Sequence, residues 1–228
     1  MPFGYLSIIV TYMEVRESLD LRELSITHSI CLGTSMAVFS KVFVVTPNVN
    51  EFALLQESSL ALSIQETERK PIQLYGEPVK ASWKCVDVEW LEVENEKALP
   101  KPDIVAWRAI SLAMPISIAD QLGVLCEDVE FLPLCLNKQS WRAVNILTQL
   151  DAIDHYATKF NLRDGKQSRV RPFKKLVLKK KAVNGAGLFR VQGAGLRMFC
   201  TDKKGGLYER VHELGLTGLS FKEIQLSP

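Results

Sequence analysis

Short apolar runs separated by turn-forming residues dominate the chain after residue 40, which is the pattern of short β-strands. The sequences TPN at 46–48 and YGEP at 75–78 indicate turns between such strands. The pattern predicts strands at 41–46, 52–56, 60–65, 79–83, 85–93, 131–136, 142–147, 173–178 and 187–191.

Helical periodicity is confined to a few short segments. The sequence ISIADQLGVL at 116–125 predicts one short helix. In LDAIDHYATKF at 150–160, Leu150, Ile153 and Ala157 recur at helical spacing. This segment is therefore predicted as a second helix, with Phe160 completing its apolar face.

The end of the chain predicts a third helix. Apolar residues recur at helical spacing from 207 to 214, and Gly215 stands where a helix should end. Thr201 or Asp202 is available as the N-cap. This end of the chain is therefore predicted to be packed rather than frayed.

A strand is predicted directly after that helix. Beyond Gly218, Leu219 and Phe221 alternate with polar residues, as in a half-buried strand. Ile224 and Leu226 fall out of this phase, and a bulge or the end of the strand would explain the change.

The order of these elements predicts the fold class. Strands outnumber helices, and neither a regular βαβ alternation nor a repeat of fixed period is visible. We therefore expect an α+β fold: a mixed, strand-rich, mainly antiparallel sheet with a few short helices, including the C-terminal helix-strand unit.

The regular pattern also predicts the domain organisation. Residues 1–40 form an N-terminal extension, and Met36 is a second candidate start of translation because it immediately precedes the first strong strand. Residues 41–228 form one domain, with a soft internal division at the proline cluster of 98–103.

Composition predicts a soluble cytoplasmic protein. A chain of 228 residues with 47% hydrophobic residues can bury a true core, and no apolar run reaches the roughly 18 to 20 residues of a membrane span. The five cysteines are scattered and include no C-x-x-C pair, so we expect reduced thiols and no zinc knuckle. They are Cys31, Cys85, Cys126, Cys135 and Cys200.

The residues suited to catalysis or metal binding form no motif. Asp151, Asp154 and His155 would share one face of the predicted helix at 150–160, either as metal ligands or, with more weight, as a solvated polar face. His28 and His212 stand apart from other candidate ligands.

The segment GTSMA, which contains Ser35, is followed by a predicted strand where a nucleophile elbow needs a helix, and no phosphate-binding glycine loop is present. The sequence therefore predicts no enzyme, no cofactor and no metal.

Charge is concentrated in two stretches of opposite sign. An acidic stretch with an aromatic residue beside it is a candidate surface for a cationic partner, the alternative being a solvated hairpin. Its residues are Asp87, Glu89, Trp90, Glu92, Glu94 and Glu96.

A basic stretch follows between 159 and 181, with ten Lys or Arg residues and a single acid, Asp164. It could grip phosphates, or it could protect an edge strand from pairing with another chain. A formal net charge of +2 disfavours nucleic acid as the main partner. The candidate residues are Arg169, Arg171, Lys174, Lys175, Lys179, Lys180 and Lys181.

Several pieces of the chain, taken in order, resemble bacterial immunity proteins of polymorphic-toxin and type VI secretion systems, specifically immunity family eleven. The resemblance covers 41–228. Its strongest elements are N-x-x-x-x-L-D-A-x-D at 145–154 and G-L-T-G-L-x-F at 215–221.

The resemblance implies a non-enzymatic cytoplasmic protein that binds a cognate toxin encoded by a neighbouring gene. The C-terminal helix and strand would then belong to the core of the scaffold. No toxin-contacting residue can be carried over, so the two charged stretches remain independent candidates. A nucleic-acid-binding or regulatory module that uses the basic stretch is the alternative.

Overall fold

A computed structural model describes residues 39–58, 74, 76–92, 98–108, 111–163, 165–168 and 171–228. The predicted strand at 60–65 lies outside these residues, as do Ser35, Met36, His28, Cys31, Glu94, Glu96 and Arg169. The helices and strands are β1 (Val42–Pro47), β2 (Leu55–Glu57), β3 (Val86–Trp90), β4 (Val105–Trp107), β5 (Ser111–Pro115), α1 (Ile116–Gln121), a 3-10 turn (Gly123–Leu125), β6 (Val129–Leu136), β7 (Gln139–Ile146), β8 (Gln149–Leu150), β9 (Lys159–Phe160), β10 (Leu162–Arg163), β11 (Lys166–Gln167), β12 (Phe173–Lys175), β13 (Val177–Lys179), α2 (Lys180–Val183), β14 (Leu188–Val191), β15 (Met198–Thr201), α3 (Leu207–Glu213) and β16 (Leu219–Ser227).

Six strands close into a barrel in the order β2-β3-β6-β7-β5-β4. Its longest hairpin joins β6 to β7 through Asn137 and Lys138, which both have positive φ, as a tight two-residue hairpin turn requires. Alternate residues of each strand point inward and bury two tryptophans, Trp107 and Trp141. Trp83 and Trp90 pack against the same interior.

A second sheet has the strand order β13-β16-β1-β15-β14-β8. Pairs β1·β15, β1·β16 and β14·β15 are antiparallel, whereas β13·β16 and β8·β14 are parallel. The fold is therefore mostly sheet with short helices, broadly compatible with the predicted α+β class, and both the six-stranded sheet and the barrel mix parallel with antiparallel pairs. None of the helices in the described ranges is long and apolar enough to cross a membrane.

Both faces of this six-stranded sheet are buried. One face contributes Phe43, Val45, Met198 and Cys200 to a central core, which also contains apolar residues of the barrel's outer surface such as Met114. Helices α1 and α3 also contribute to that core, through Ile118, Ala119, Leu207 and Val211. The opposite face packs a second cluster, the back core: Phe39, Val42, Ala152, Ile153, Leu178, Val183, Phe189, Val191, Ala194 and Phe199.

The phase change predicted to end or bulge the last strand has a different cause. β16 pairs with β1 without interruption from Pro47↔Leu219 to Val42↔Ile224, so no bulge is present and the strand continues. Phe221 packs against the central core, whereas Ile224 packs against the back core on the other face. The apolar residues change phase because the strand passes from one core to the other.

The helix predicted at 150–160 is wrong. This segment forms β8, a turn and β9, and Ile153 bridges Leu178. The carboxylate of Asp154 accepts the backbone N–H groups of Tyr156 and Ala157, at 2.9 Å each, which stabilises a turn instead of a helix.

Two smaller predictions also differ from the structure. Residues 79–83 form a turn, in which the N–H of Ser82 donates to the carbonyl of Val79. Helix α3 begins after Gly206 and not after Thr201 or Asp202, because Thr201 is still part of β15. The helix predicted at 116–125 is confirmed as α1 with its 3-10 extension.

The proline cluster at 98–103, where a soft division was predicted, connects β3 to β4 of the same barrel. Gly218 lies against its end: a Cβ there would stand 1.9 Å from the carbonyl oxygen of Ile104. Next to it, the carboxylate of Asp103 accepts the Thr217 N–H at 2.8 Å and the Thr217 hydroxyl at 2.7 Å. The C-terminal unit is thereby attached to this connection.

Candidate functional site

The acidic stretch lies partly on the outer surface of the barrel. Val86 and Val88 of β3 point inward, which leaves Asp87 and Glu89 exposed on the outside. Glu89 accepts a hydrogen bond from the Gln56 side chain at 3.0 Å. β3 therefore brings two of the predicted acidic residues onto one face.

Trp90 packs mainly against the barrel interior and is only partly exposed at the surface. It is half-buried and lies edge-on to Trp141, with 5.8 Å between ring centroids. The Lys101 ammonium lies 5.4 Å from the Trp90 ring, so a cation already covers it. Glu92 is exposed beyond the strand.

The basic stretch contains two separate structures. The first is a β-hairpin that we call the basic arm, described at residues 159–163, 165–168 and 171–175. β9 pairs with β12 at its base, and β10 pairs with β11 towards its tip. Its described cations are exposed: Lys159, Arg163, Lys166, Arg171, Lys174 and Lys175.

Aromatic packing anchors the base of the basic arm to the sheet. Phe160 and Phe173 lie opposite one another with ring centroids 5.5 Å apart, and both pack against the back core. His155 stacks on Phe160 at 5.9 Å, and the Arg197 guanidinium lies 5.4 Å from the Phe173 ring. These contacts fix where the arm leaves the sheet.

The second basic structure, which we call the lysine turn, comprises Lys179, Lys180 and Lys181. All three are exposed at the end of β13 and the start of α2. Lys179 pairs with Ser227, at the opposite end of β16 from Leu219, which pairs with Pro47. The sequence prediction of one basic surface is thus divided into an arm and a turn.

An open groove of about 790 Å³ lies beside the basic arm. Gln167 and Ser168 of the arm line one side, and the β14–β15 turn at 193–197 lines another. Thr46 and Pro47 also line it, because they continue β1 past Val45↔Met198, the last pair with β15. Sequence reasoning missed this groove, since residues from three distant segments form it.

The residues suggested as metal ligands do not converge. Asp151 is exposed, Asp154 caps the turn before β9, and His155 stacks on Phe160. Within the described ranges, no group of three or more His, Cys, Asp or Glu side chains could hold a metal ion. His212 Nδ1 lies 2.7 Å from the Tyr208 carbonyl within α3.

Asp128 is a buried carboxylate that sequence reasoning also missed. Its Oδ2 accepts the N–H of Gly187 at 2.7 Å, and its Oδ1 accepts the Thr148 hydroxyl at 2.9 Å. The Lys203 ammonium lies 3.8 Å away. These bonds connect the start of β6 in the barrel to the loop before β14 in the sheet, which is a structural role.

Cys200 and Asp202 have pKa values that differ from those of free side chains. Burial raises the pKa of the Cys200 thiol far above its ordinary range, consistent with an unreactive core thiol. Partial burial raises the pKa of Asp202, but hydrogen bonds from Lys41 and Ser40 outweigh burial, and the pKa lies below its ordinary value.

The described residues thus form a β-rich scaffold that presents oppositely charged surfaces, and its buried carboxylate, Asp128, is engaged in structural hydrogen bonds. Residues 139–226 match the immunity protein family Imm11. This match confirms the family resemblance over that part of the chain. It begins in β7 and ends in β16, so it includes the basic arm but not the acidic strand β3. A search of curated proteins found no match.

The structure assigns a scaffold role to most of the two motifs that carried the resemblance. In the first, Asn145 is fully buried and donates to the carbonyl of Glu77 at 2.8 Å, while Ala152 lies in the back core. In the second, Gly215 has a φ of +62° just after α3, and Thr217 is bonded to Asp103. The shared motifs therefore leave the partner-binding surface undefined.

Proposed function

We propose that this protein is an immunity protein that binds a cognate toxin and neutralises it in the cytoplasm without catalysing a reaction. The match of residues 139–226 to Imm11 carries the proposal. A neutralising protein requires a stable scaffold and a complementary surface, and the barrel and six-stranded sheet supply such a scaffold.

The cognate toxin is, on this proposal, the product of a neighbouring gene in a polymorphic-toxin system of the kind that type VI secretion delivers between bacteria. The protein would remain bound to this toxin and keep it inactive in the cell that makes both. Two surfaces are candidates for that contact: the acidic residues of β3 and the basic arm.

Co-expression tests this proposal directly. The neighbouring gene product is expressed in a sensitive bacterium with and without this protein, and the pair is then purified from the survivors. We expect survival only with the protein present, together with a stable one-to-one complex. Survival without a complex would contradict neutralisation by binding, and death of the co-expressing cells would contradict immunity itself.

A nucleic-acid-binding module is the second candidate, because the basic arm exposes several cations on one hairpin. The dependence of binding affinity on salt concentration distinguishes the two functions. Binding to phosphates should weaken by orders of magnitude between about 50 and 200 mM salt, whereas a packed protein interface should lose much less. Titration of a labelled 20-nucleotide single strand and duplex at both salt concentrations makes the comparison.

A further inference from the structure

The most exposed large hydrophobic side chains of the described residues lie on or beside the basic arm. Tyr156 is 102% exposed, Leu162 is 66% exposed and Leu196 is 48% exposed. Tyr156 precedes the base of the arm, Leu162 lies on the arm, and Leu196 lines the adjoining groove. Apolar and aromatic side chains concentrated in one region of a soluble domain are typical of a protein-binding site.

Tyr156 is held outward by its own turn. The Asp154 carboxylate accepts the N–H of Tyr156 and of Ala157, and His155 next to it stacks on Phe160. The backbone beside Tyr156 is therefore ordered while its side chain has no packing. An exposed tyrosine on an ordered backbone loses little conformational entropy when a partner covers it.

The arm that carries or adjoins these apolar residues is rich in exposed cations. The chain from 155 to 201 contains a single acid, Asp164, which lies outside the described residues. Among the described residues, no ion pair involves Arg163, Lys166 or Arg171. All three side chains are exposed, so they can face an acidic partner.

The groove can accept an extended segment beside this charge. Thr46 and Pro47 lack a β15 neighbour, and the Gly195–Arg197 turn and the arm form its sides. Phe160 and Phe173 do not offer free faces for nucleobases, because His155 and Arg197 already cover them. Exposed leucines on the arm and in the groove also favour a protein over a phosphate backbone.

We propose that the basic arm and the adjoining groove form the toxin-binding surface, and that its occupant is an acidic segment of the toxin with apolar side chains at its centre. Tyr156, Leu162 and Leu196 supply the apolar contacts, and the exposed cations of the arm supply the positive charge. This inference rests on the proposed immunity function and selects one of its two candidate surfaces.

The test measures binding of the purified neighbouring gene product, rendered non-toxic by a mutation, to variants of the full chain. One variant, Tyr156→Ala with Leu162→Asp, removes the apolar contacts. A second variant, Arg163→Glu with Lys166→Glu and Arg171→Glu, reverses the charge of the arm. Matched controls change similar residues elsewhere. Val124→Asp and Leu214→Asp alter exposed apolar residues, and reversing Lys179, Lys180 and Lys181 makes the same change in net charge.

We expect each arm variant to lower affinity by at least about 30-fold, the loss typical of residues at the centre of an interface, with controls within about threefold. Unchanged melting temperatures would show that the variants are folded. If the arm variants bind as tightly as the wild type, this surface is wrong but the proposed function stands. The same holds if Asp87→Lys with Glu89→Lys abolishes binding instead. Absence of wild-type binding and protection would overturn the proposed function, and tight binding to the oligonucleotides would favour nucleic acid.

Discussion

Asp202 connects the end of β15 to the residues that precede β1. Its Oδ1 accepts the N–H groups of Ser40 at 2.8 Å and Lys41 at 3.0 Å, and its Oδ2 accepts the Ser40 hydroxyl at 2.5 Å. The sequence suggested this residue as a helix N-cap. The side chain does accept backbone N–H groups as an N-cap would, but those of a distant strand.

Asp202 should make stability depend on pH in the acid range. Its pKa in the folded protein lies below the ordinary 3.8, so its stabilising effect is fully present above that value and is lost as pH falls through the folded pKa. Asp202→Asn should therefore cost about 1 kcal/mol at pH 6 and progressively less below pH 4. Urea unfolding between pH 2.5 and 6 measures the difference.

Ser40→Ala is the matched control for this effect, because it removes one of the three hydrogen bonds and keeps the carboxylate. It should show a smaller loss in the same pH range. A stability difference between wild type and Asp202→Asn that stays constant from pH 6 to 2.5 would contradict the assignment.

The C-terminal unit shows how one motif organises two elements. The G-L-T-G sequence contains two glycines with positive φ, at +62° for Gly215 and +104° for Gly218. A Cβ at Gly215 would have open space, whereas a Cβ at Gly218 would collide with the Ile104 carbonyl. The first glycine therefore ends α3, and the second permits close contact with the segment that leads into the barrel.

Alanine at these two glycines should separate conformational strain from steric collision. Gly215→Ala forces an alanine into a left-handed backbone conformation without a steric collision, and it should lower the free energy of unfolding by about 1 kcal/mol. Gly218→Ala adds a collision with backbone and should cost roughly 3 kcal/mol or more. Denaturant unfolding of both variants measures the difference, and equal costs would show that the close contact is not important.

Elements with local signals were predictable, and elements defined by distant partners were not. The helix at 116–125 and the strand after Gly218 have clear periodicity and were found. The segment 150–160 has helical spacing too, but adjacent Ala152 and Ile153 are both buried because neighbouring strands enclose them. Tertiary contacts overrode the local pattern there.

The candidate site was predictable in composition but not in geometry. The basic residues were visible in the sequence, whereas their division into the basic arm and the lysine turn depends on hairpin pairing and on β13 joining β16. Residues 46, 167 and 197 line the groove although they are distant in sequence, and no local sequence pattern predicts that they lie together.

On the scale of the whole described domain, the barrel and the six-stranded sheet share one core. Met114 and Ile146 of the barrel's outer surface belong to the central core together with Phe43 and Met198 of the sheet. Asp128 adds hydrogen bonds between the same two parts. Without its neighbour, each part would expose the apolar face that it contributes to the central core, so we expect the two parts to unfold together.

The tryptophans provide a direct test of this cooperativity. All four lie in or against the barrel interior, so their fluorescence reports the barrel, whereas far-ultraviolet circular dichroism reports both sheets. The two denaturation curves should coincide. Asp128→Ala should shift both by the same amount, at a cost of about 2 to 3 kcal/mol for its lost buried hydrogen bonds. Curves that separate would show that the barrel unfolds independently.

The position of β16 between β13 and β1 also sets an order of events during synthesis. The barrel strands between 55 and 146 can pair as soon as they leave the ribosome, but β1 has no partner until residues 198–227 have been made. Contacts so distant in sequence form slowly. The nascent chain therefore carries β1 as an unpaired apolar strand through most of its translation. Folding of the six-stranded sheet should depend on chaperones far more than folding of the barrel does.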